Sequence, residues 1–331
     1  MMNARQQLLK EWSQQTLEQT EKLSDYQWQL VSGDASFRRY YRIISGDNSW
    51  ICVDAPPEHE NSEQFIKIAS LLSQVNAPKV IAYDLEQGFM LLSDLGDQLY
   101  LPLLNEQSAD KLYQAAIQSL IKMQQIDSAK ILPAYDAKLL NQEMELFREW
   151  FLLQHLQLTL SSDENQMLDQ LFQWLTDSAL EQPQVFVHRD YHSRNIMWLQ
   201  DQPPGIIDFQ DAVQGPISYD LLSLLRDCYI EWPDYQVQAW MDYFIEQSDW
   251  ELDKAQFIQW FDWMGLQRHI KVAGIFARLN YRDGKAAYLK DIPLTLRYIV
   301  RQAEKYPQLD EFSDWMQQKI LPAMDSLKQV Q

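Results

Sequence analysis

Apolar and polar positions alternate along the chain with two different periods. Residues 4 to 22 carry Leu8, Leu9, Trp12, Thr16 and Leu17 at helical spacing, which predicts one amphipathic helix. The texture then changes. W-Q-L-V-S (28–32), F-R-R-Y-Y-R-I-I (37–44), S-W-I-C-V-D (49–54) and F-M-L-L-S-D (89–94) are short, rich in β-branched and aromatic residues, and read as strands. The polar clusters S-G-D-A-S (32–36) and S-G-D-N (45–48) supply turns between the first three, and Pro56-Pro57 ends the third. An amphipathic helix follows over 60–74.

From Leu95 onward the 3.6-residue period dominates, over 106–126, 139–156, 163–180, 219–230, 234–247 and 254–280. One island, residues 184–209, interrupts it with short apolar runs, a polar loop and a Pro-Pro-Gly turn, and reads as hairpin-like β structure. The expected architecture is α+β and bilobal. A small sheet-plus-helix lobe over 1–94 would be joined, by a hinge near Ser93 to Gly96, to a larger and mainly helical lobe over 95–331.

Composition narrows the class. A chain of 331 residues with 46% hydrophobic and 23% charged side chains suits one large domain or two modest ones. No apolar stretch reaches the length of a membrane span, and the N-terminus lacks a signal-peptide pattern, so a soluble cytoplasmic protein is expected. Nothing demands more than a monomer. With 28 basic and 47 acidic side chains the net charge is −19, which argues against nucleic acid or anionic membrane as partner. Cys52 and Cys228 fit neither a disulfide framework nor zinc-ligand spacing, and are expected as small buried hydrophobes. Only nine glycines occur, none as G-x-G and none in a P-loop, so phosphates would need another cradle.

Candidate chemistry lies in the β-rich island. Asp190 and Asn195 stand in H-R-D-Y-H-S-R-N, and Asp208 ends G-I-I-D-F. One carboxylate to accept a hydroxyl proton, with an amide and a second carboxylate to hold Mg²⁺ on ATP phosphates, is a set suited to phosphoryl transfer. His188 and His192 lack the third ligand or H-E-x-x-H helix that zinc would need. His188, at a strand end beside Phe186 and Val187, is expected to be buried and structural, and Asp220 to be a helix cap or loop brace.

His188, Asp190, His192 and Asn195 match the H-x-D-x-H-x-x-N loop of the aminoglycoside phosphotransferase and choline kinase superfamily, relatives of protein kinases. I-D-F-Q-D (207–211) resembles that superfamily's metal-binding motif, and G-P-I-S-Y-D-L (215–221) the helix start after it. The resemblance runs from about residue 28 to 300 and implies a protein-kinase-like fold that uses ATP and Mg²⁺. S-G-D-A-S-F-R-R-Y-Y-R (32–42), V-D-A-P-P-E (53–58), L-L-S-D-L-G (91–96), L-F-R-E-W-F (146–151), L-L-R-D-C-Y-I (224–230) and G-L-Q-R-H-I-K-V-A-G-I-F-A-R-L (265–279) are similar to one bacterial branch. That branch comprises the anomeric kinases of N-acetylmuramate and N-acetylglucosamine in cell-wall sugar recycling. It implies phosphorylation of the C1 hydroxyl to a sugar 1-phosphate.

Two departures stand out. The third strand carries no phosphate-gripping lysine, which leaves Arg38, Arg39 and Arg42 on the neighbouring strand, or Lys67, to supply the charge. The phosphate loop has a single glycine, so Ser32, Gly33, Asp34, Ala35, Ser36 and Phe37 are expected to cover the nucleotide through backbone N–H groups and hydroxyls. Adenine is expected at Ser93, Asp94 and Leu95. Only ten residues separate Asp208 from Tyr219, too few for a protein-substrate platform, so a small-molecule acceptor is expected rather than a peptide. Arg194, Asp211, Arg226 and Arg268 are the substrate-binding candidates. Arginines here, with Arg148 and Arg278, either meet the lactyl carboxylate of a muramic acid or neutralise nearby acids. Aminoglycoside, choline or homoserine hydroxyls stay open as alternative acceptors, as does a kinase-like scaffold without chemistry.

Overall fold

A computed structural model describes residues 4–20, 25–33 and 37–328. The chain opens with α1 (Ala4–Thr20), followed by β1 (Gln27–Gly33), β2 (Arg39–Ser45) and β3 (Asn48–Asp54). Next come α2 (Ser62–Leu71), β4 (Val80–Asp84) and β5 (Phe89–Ser93). The five strands form an antiparallel sheet in the order β1-β2-β3-β5-β4. Register puts Tyr41 opposite Cys52, and Cys52 opposite Leu91, so one row of apolar side chains crosses the sheet. With Ile43, Trp50 and Phe89 this row packs under Leu9 and Leu17 of α1. Burial pushes the Cys52 thiol up to about 12, so it is the inert hydrophobe expected.

Strand β4 had no clear signature in the sequence. It is an edge strand with a bulge between Val80 and Ala82, and it is half-buried at best, which removes the clean alternation a buried strand shows. Helix α2 begins at Asn61, whose side chain accepts the Gln64 N–H at 3.0 Å, and it buries Phe65 and Ile68.

The chain continues through α3 (Ala109–Gln124), α4 (Ala137–Leu146), a π-helical segment Phe147–His155, α5 (Ser162–Glu181) and β6 (Gln184–Val187). Two short strands follow, β7 (Ile196–Met197) and β8 (Gly205–Ile206), and then β9 (Val213–Pro216), α6 (Tyr219–Leu225), α7 (Asp234–Gln247) and α8 (Lys254–Asp283). Beyond the last helix expected from the sequence lies α9 (Ile292–Ala303), with two further short helices after it. The β-rich island is therefore two ladders rather than one hairpin. β7 pairs with β8, while β6 reaches past both to pair with β9.

Two compact units result, one of residues 1–100 with 195–211, the other of 101–194 with 212–331. A single boundary at 94/95 was expected, but β7, β8 and their flanks group with the sheet unit. The Trp198 N–H donates to Gln98 O at 2.7 Å, the Ile206 N–H to Asn76 O at 2.7 Å, and Phe209 packs on Phe65 with ring centroids 4.8 Å apart. Pairing between distant backbone segments leaves no trace in local composition.

The second unit is built around α8, thirty residues long and capped by Asp253, whose side chain accepts the Gln256 N–H. Every residue from Phe261 to Gly274 is buried, so this helix runs through the core and its polar side chains must find partners inside. At Gly274 a Cβ atom would come within 2.3 Å of the Leu146 carbonyl carbon, so only glycine lets α8 approach α4 this closely. No described helix is long and apolar enough to cross a membrane.

Candidate active site

Strand β6 delivers the chain into the loop that carries Asp190. His188 is fully buried and its Nδ1 accepts the Asp190 N–H at 3.2 Å. Arg189 is held at φ 75°, a left-handed backbone that costs free energy in a non-glycine residue and persists where neighbours impose it. Asp220, in the first turn of α6, imposes it. Its carboxylate accepts the His188 N–H at 2.6 Å and the Arg189 N–H at 3.1 Å. Burial pushes Asp220 up to about 7, against those two donors and Arg268. Further on, the Ser193 N–H and hydroxyl both donate to Asp227, the former at 3.0 Å.

The loop rests on a buried charge network that the sequence reading missed. Glu143 of α4 takes Lys271 of α8 at 2.9 Å, Arg189, and the Tyr135 hydroxyl. Lys271 also donates to the Tyr219 hydroxyl at 3.0 Å. The signal was present: Glu143 interrupts the apolar face made by Leu140, Met144 and Phe147, all fully buried. Around Asp190 the consequence is electrostatic. Burial raises its affinity for a proton, but Lys271, His192, Arg268 and Arg189 outweigh that and hold the carboxyl below the usual carboxylate range. It is therefore ionised at neutral pH, the state a proton acceptor needs.

In the sheet unit, β7 and β8 bring together two residues thirteen apart: the Asn195 side-chain amide donates to Asp208 Oδ2 at 3.2 Å. Gln210 donates to Asp208 Oδ1 at 2.7 Å. Asp208 sits at φ 66°, another left-handed non-glycine residue. An amide and a carboxylate are hard oxygen donors of the kind Mg²⁺ takes. The buried Gln210 Oε1, which has no partner, adds an unsatisfied acceptor beside them. The donor set thus fits a cation that completes its shell with phosphate and water. Among the described residues no cluster of three or more His, Cys, Asp or Glu side chains is placed to hold a metal ion.

The arginines of the sheet unit separate clearly. Arg42 is spent on structure, with Nε 2.5 Å from Asp94, Nη1 2.5 Å from Asp97 and Nη2 3.0 Å from the Gly96 carbonyl. Asp94, a candidate for adenine, is thereby committed as an anchor for Arg42. The Ser93 hydroxyl accepts the Lys79 N–H at 2.8 Å, and Leu95 packs on Gly205, where an added Cβ would meet it at 2.9 Å. Arg39 is exposed, and Lys67 pairs with Glu63 on the surface of α2. Arg38 is different. It is 4% exposed, pairs with Glu60 at 3.0 Å, and lies over the Phe65 ring, 5.7 Å from its centroid. Phe65 in turn packs on Phe209, the residue after Asp208. Phe37 is exposed, stacks on His59, and donates its N–H to Glu60 at 3.0 Å. Asp34, Ala35 and Ser36 lie outside the described residues, and only the backbone of Ser32 and Gly33, paired with Tyr40 and Arg39, is described.

Of the acceptor-site candidates, Arg226 is a structural cation, because its guanidinium meets buried Asp262 at 2.6 Å. Arg148 likewise pairs with Asp169 and Glu145. Asp211 is exposed and belongs to the sheet unit. Arg194 lies flat against Tyr229, 3.5 Å from the ring centroid. Arg268 is buried three residues before Lys271 on α8. These last two share the second unit with Asp190.

Comparison with known proteins agrees with this chemistry. The sequence model of the phosphotransferase enzyme family matches residues 27–258. The N-acetylmuramate/N-acetylglucosamine kinase of Pseudomonas aeruginosa is 43% identical over 291 residues, covering 86% of this chain and 86% of that protein. The kinase of the same name from Neisseria meningitidis serogroup B is 39% identical over 320 residues, covering 92% and 93%. Among solved structures, the GDP complex of aminoglycoside 2′-phosphotransferase-IIIa superposes with a TM-score of 0.61 at 15% identity, covering 89% of this chain and 99% of that one. This last likeness is one of fold.

Proposed function

For a chain that belongs to the phosphotransferase enzyme family, we propose the ATP-dependent phosphorylation of the anomeric hydroxyl of N-acetylmuramate and N-acetylglucosamine. The product is the sugar 1-phosphate, and the setting is cytoplasmic recycling of cell-wall sugars. The observation that carries the substrate is the 43% identity to a relative of that name over 86% of both chains.

Roles are assigned to the chain's own residues. Asp190, ionised beside Lys271, Arg268 and Arg189, orients the C1 hydroxyl and takes its proton as the sugar oxygen bonds to the γ-phosphorus of ATP and the bond to the β-phosphate oxygen breaks, releasing ADP. Asn195 and Asp208 would hold Mg²⁺, which when bound neutralises phosphate charge. Arg38, steadied by Glu60, takes the place of the absent strand lysine on the nucleotide phosphates. The sheet unit serves the nucleotide, through the segment 32–38 and the end of β5 at Ser93 to Leu95. The second unit serves the acceptor, with Arg194 and Arg268 near the base. The strained backbone at Arg189 and Asp208 supports this reading, since such conformations collect where residues are held for chemistry.

An ADP-release assay with Mg²⁺-ATP tests it. Turnover is expected with the two amino sugars and not with kanamycin, choline or homoserine. Turnover confined to one of the latter three would move the acceptor assignment, and none with any of the five would remove the kinase reading.

A further inference from the structure

Arg268 stands at the middle of α8 with 3% of its surface exposed. Its cationic neighbours each have a carboxylate: Arg226 has Asp262, and Lys271 and Arg189 share Glu143. Arg268 has none at ion-pairing distance among the described residues, in a chain with 47 acidic side chains. Its one hydrogen bond goes to Cys228 Sγ at 3.5 Å, and its Nε is buried without a partner. Burial pushes the Cys228 thiol up, so that sulfur is neutral and offers no compensating charge. Asp190 and Asp227 act on the charge of Arg268 through space and hold it protonated, so what the fold leaves unanswered is its N–H groups, and a buried donor without a partner is costly.

Its position is fixed from two sides of the base. Lys271, one helical turn along α8, holds Glu143 and through it Arg189, the residue before Asp190. Cys228 follows Asp227, whose carboxylate is occupied by Ser193, three residues after Asp190, and by the Tyr229 N–H at 3.1 Å. A second buried donor position without a partner, Nδ1 of His192, lies in the same loop and feels the Arg268 charge.

We propose that Arg268, with His192 beside it, forms the receptor for the carboxylate of the acceptor sugar, the lactyl group that N-acetylmuramate carries and N-acetylglucosamine lacks. This inference rests on the amino-sugar kinase reading. A guanidinium meets a carboxylate through two parallel N–H bonds, which answers the unbonded N–H groups of Arg268 better than a single hydroxyl. Arg268 also belongs to the unit of the base, whereas the phosphate cation Arg38 belongs to the other.

The test is Arg268→Met and Arg268→Lys, with kcat and KM measured separately for the two sugars and melting temperature measured without ligand. Arg268→Met is expected to raise KM for N-acetylmuramate by roughly 10- to 100-fold. kcat should fall on both sugars alike, because Asp190 loses one of the cations that hold it ionised, whereas the rise in KM should be at least about tenfold smaller for N-acetylglucosamine, which has no carboxylate to lose. Arg268→Lys should lie between wild type and Arg268→Met on N-acetylmuramate alone. Equal rises in KM on both sugars, or no rise on either, would overturn the assignment, and Arg268→Lys, which keeps the charge, gives the same reading where Arg268→Met fails to fold. A wild-type protein inactive on both sugars would instead overturn the reading beneath it.

Discussion

Asn195 donates its side-chain amide to Asp208 across thirteen residues of sequence, at 3.2 Å. The two-residue ladder of β7 on β8 makes that contact, with Ile196 opposite Ile206 and the Ile207 N–H on the Asn195 carbonyl at 3.1 Å.

Asp208→Asn isolates the charge, because asparagine tolerates the left-handed backbone at this position. The variant should fold normally and need at least about tenfold more Mg²⁺ for half-maximal turnover, since a cation site loses its one anionic ligand. Titration of activity against Mg²⁺ checks this. An unchanged Mg²⁺ requirement would remove Asp208 from the cation site.

Replacement of Asp190 by asparagine removes the proposed proton acceptor and leaves the shape. Turnover should fall by roughly 10²- to 10⁴-fold while ATP affinity, measured by calorimetry, stays near wild type. Near-normal turnover would move the base elsewhere.

The three arginines around β2 should behave differently. Arg38→Ala should raise KM for ATP by roughly 10- to 100-fold, and Glu60→Gln should produce part of that loss by freeing the guanidinium it steadies. Arg39→Ala, at an exposed position, should be silent. Arg42→Ala should lower the melting temperature, because it leaves buried Asp94 without its cation. ATP-dependent kinetics and thermal melts on the four variants separate these outcomes.

Stability should depend on pH through His269. This fully buried ring stacks on Tyr298 and donates its Nε2–H to the Arg226 carbonyl at 3.0 Å. Burial, and then the Arg268 charge, holds it down to about 3 from 6.5. As pH falls the unfolded chain takes up the proton first, so this contribution is complete above 6.5 and is lost on descent towards about 3. The slope is about 1 kcal/mol per pH unit. Asp220, held up to about 7, titrates with the opposite sign over the same range in both proteins, so the His269 contribution is read as the difference between wild type and His269→Gln in denaturant melts between pH 7 and 5.

Period and motif carried much of this into view before any coordinates. The helices of the second unit as far as α8, four of the five sheet strands and the Asp190 loop all rest on local signals: 3.6-residue spacing, β-branched runs and a short polar pattern. What was illegible is what depends on partners far apart in the chain. Arg38, Arg39 and Arg42 are alike in sequence, and only Glu60, bulk solvent and Asp94 tell them apart. Arg226 and Arg268 look equivalent until Asp262 is found beside one and a neutral thiol beside the other. The grouping of 195–211 with the sheet likewise follows from backbone pairing to Asn76 and Gln98, which neither composition nor periodicity records.

Product analysis is the most direct measurement of the central claim. After incubation with Mg²⁺-ATP and N-acetylmuramate, phosphorus NMR should show one new phosphoester coupled to the anomeric proton, with ADP formed in equal amount. A phosphoester on any other hydroxyl, or ATP consumed with no sugar phosphate formed, would contradict it.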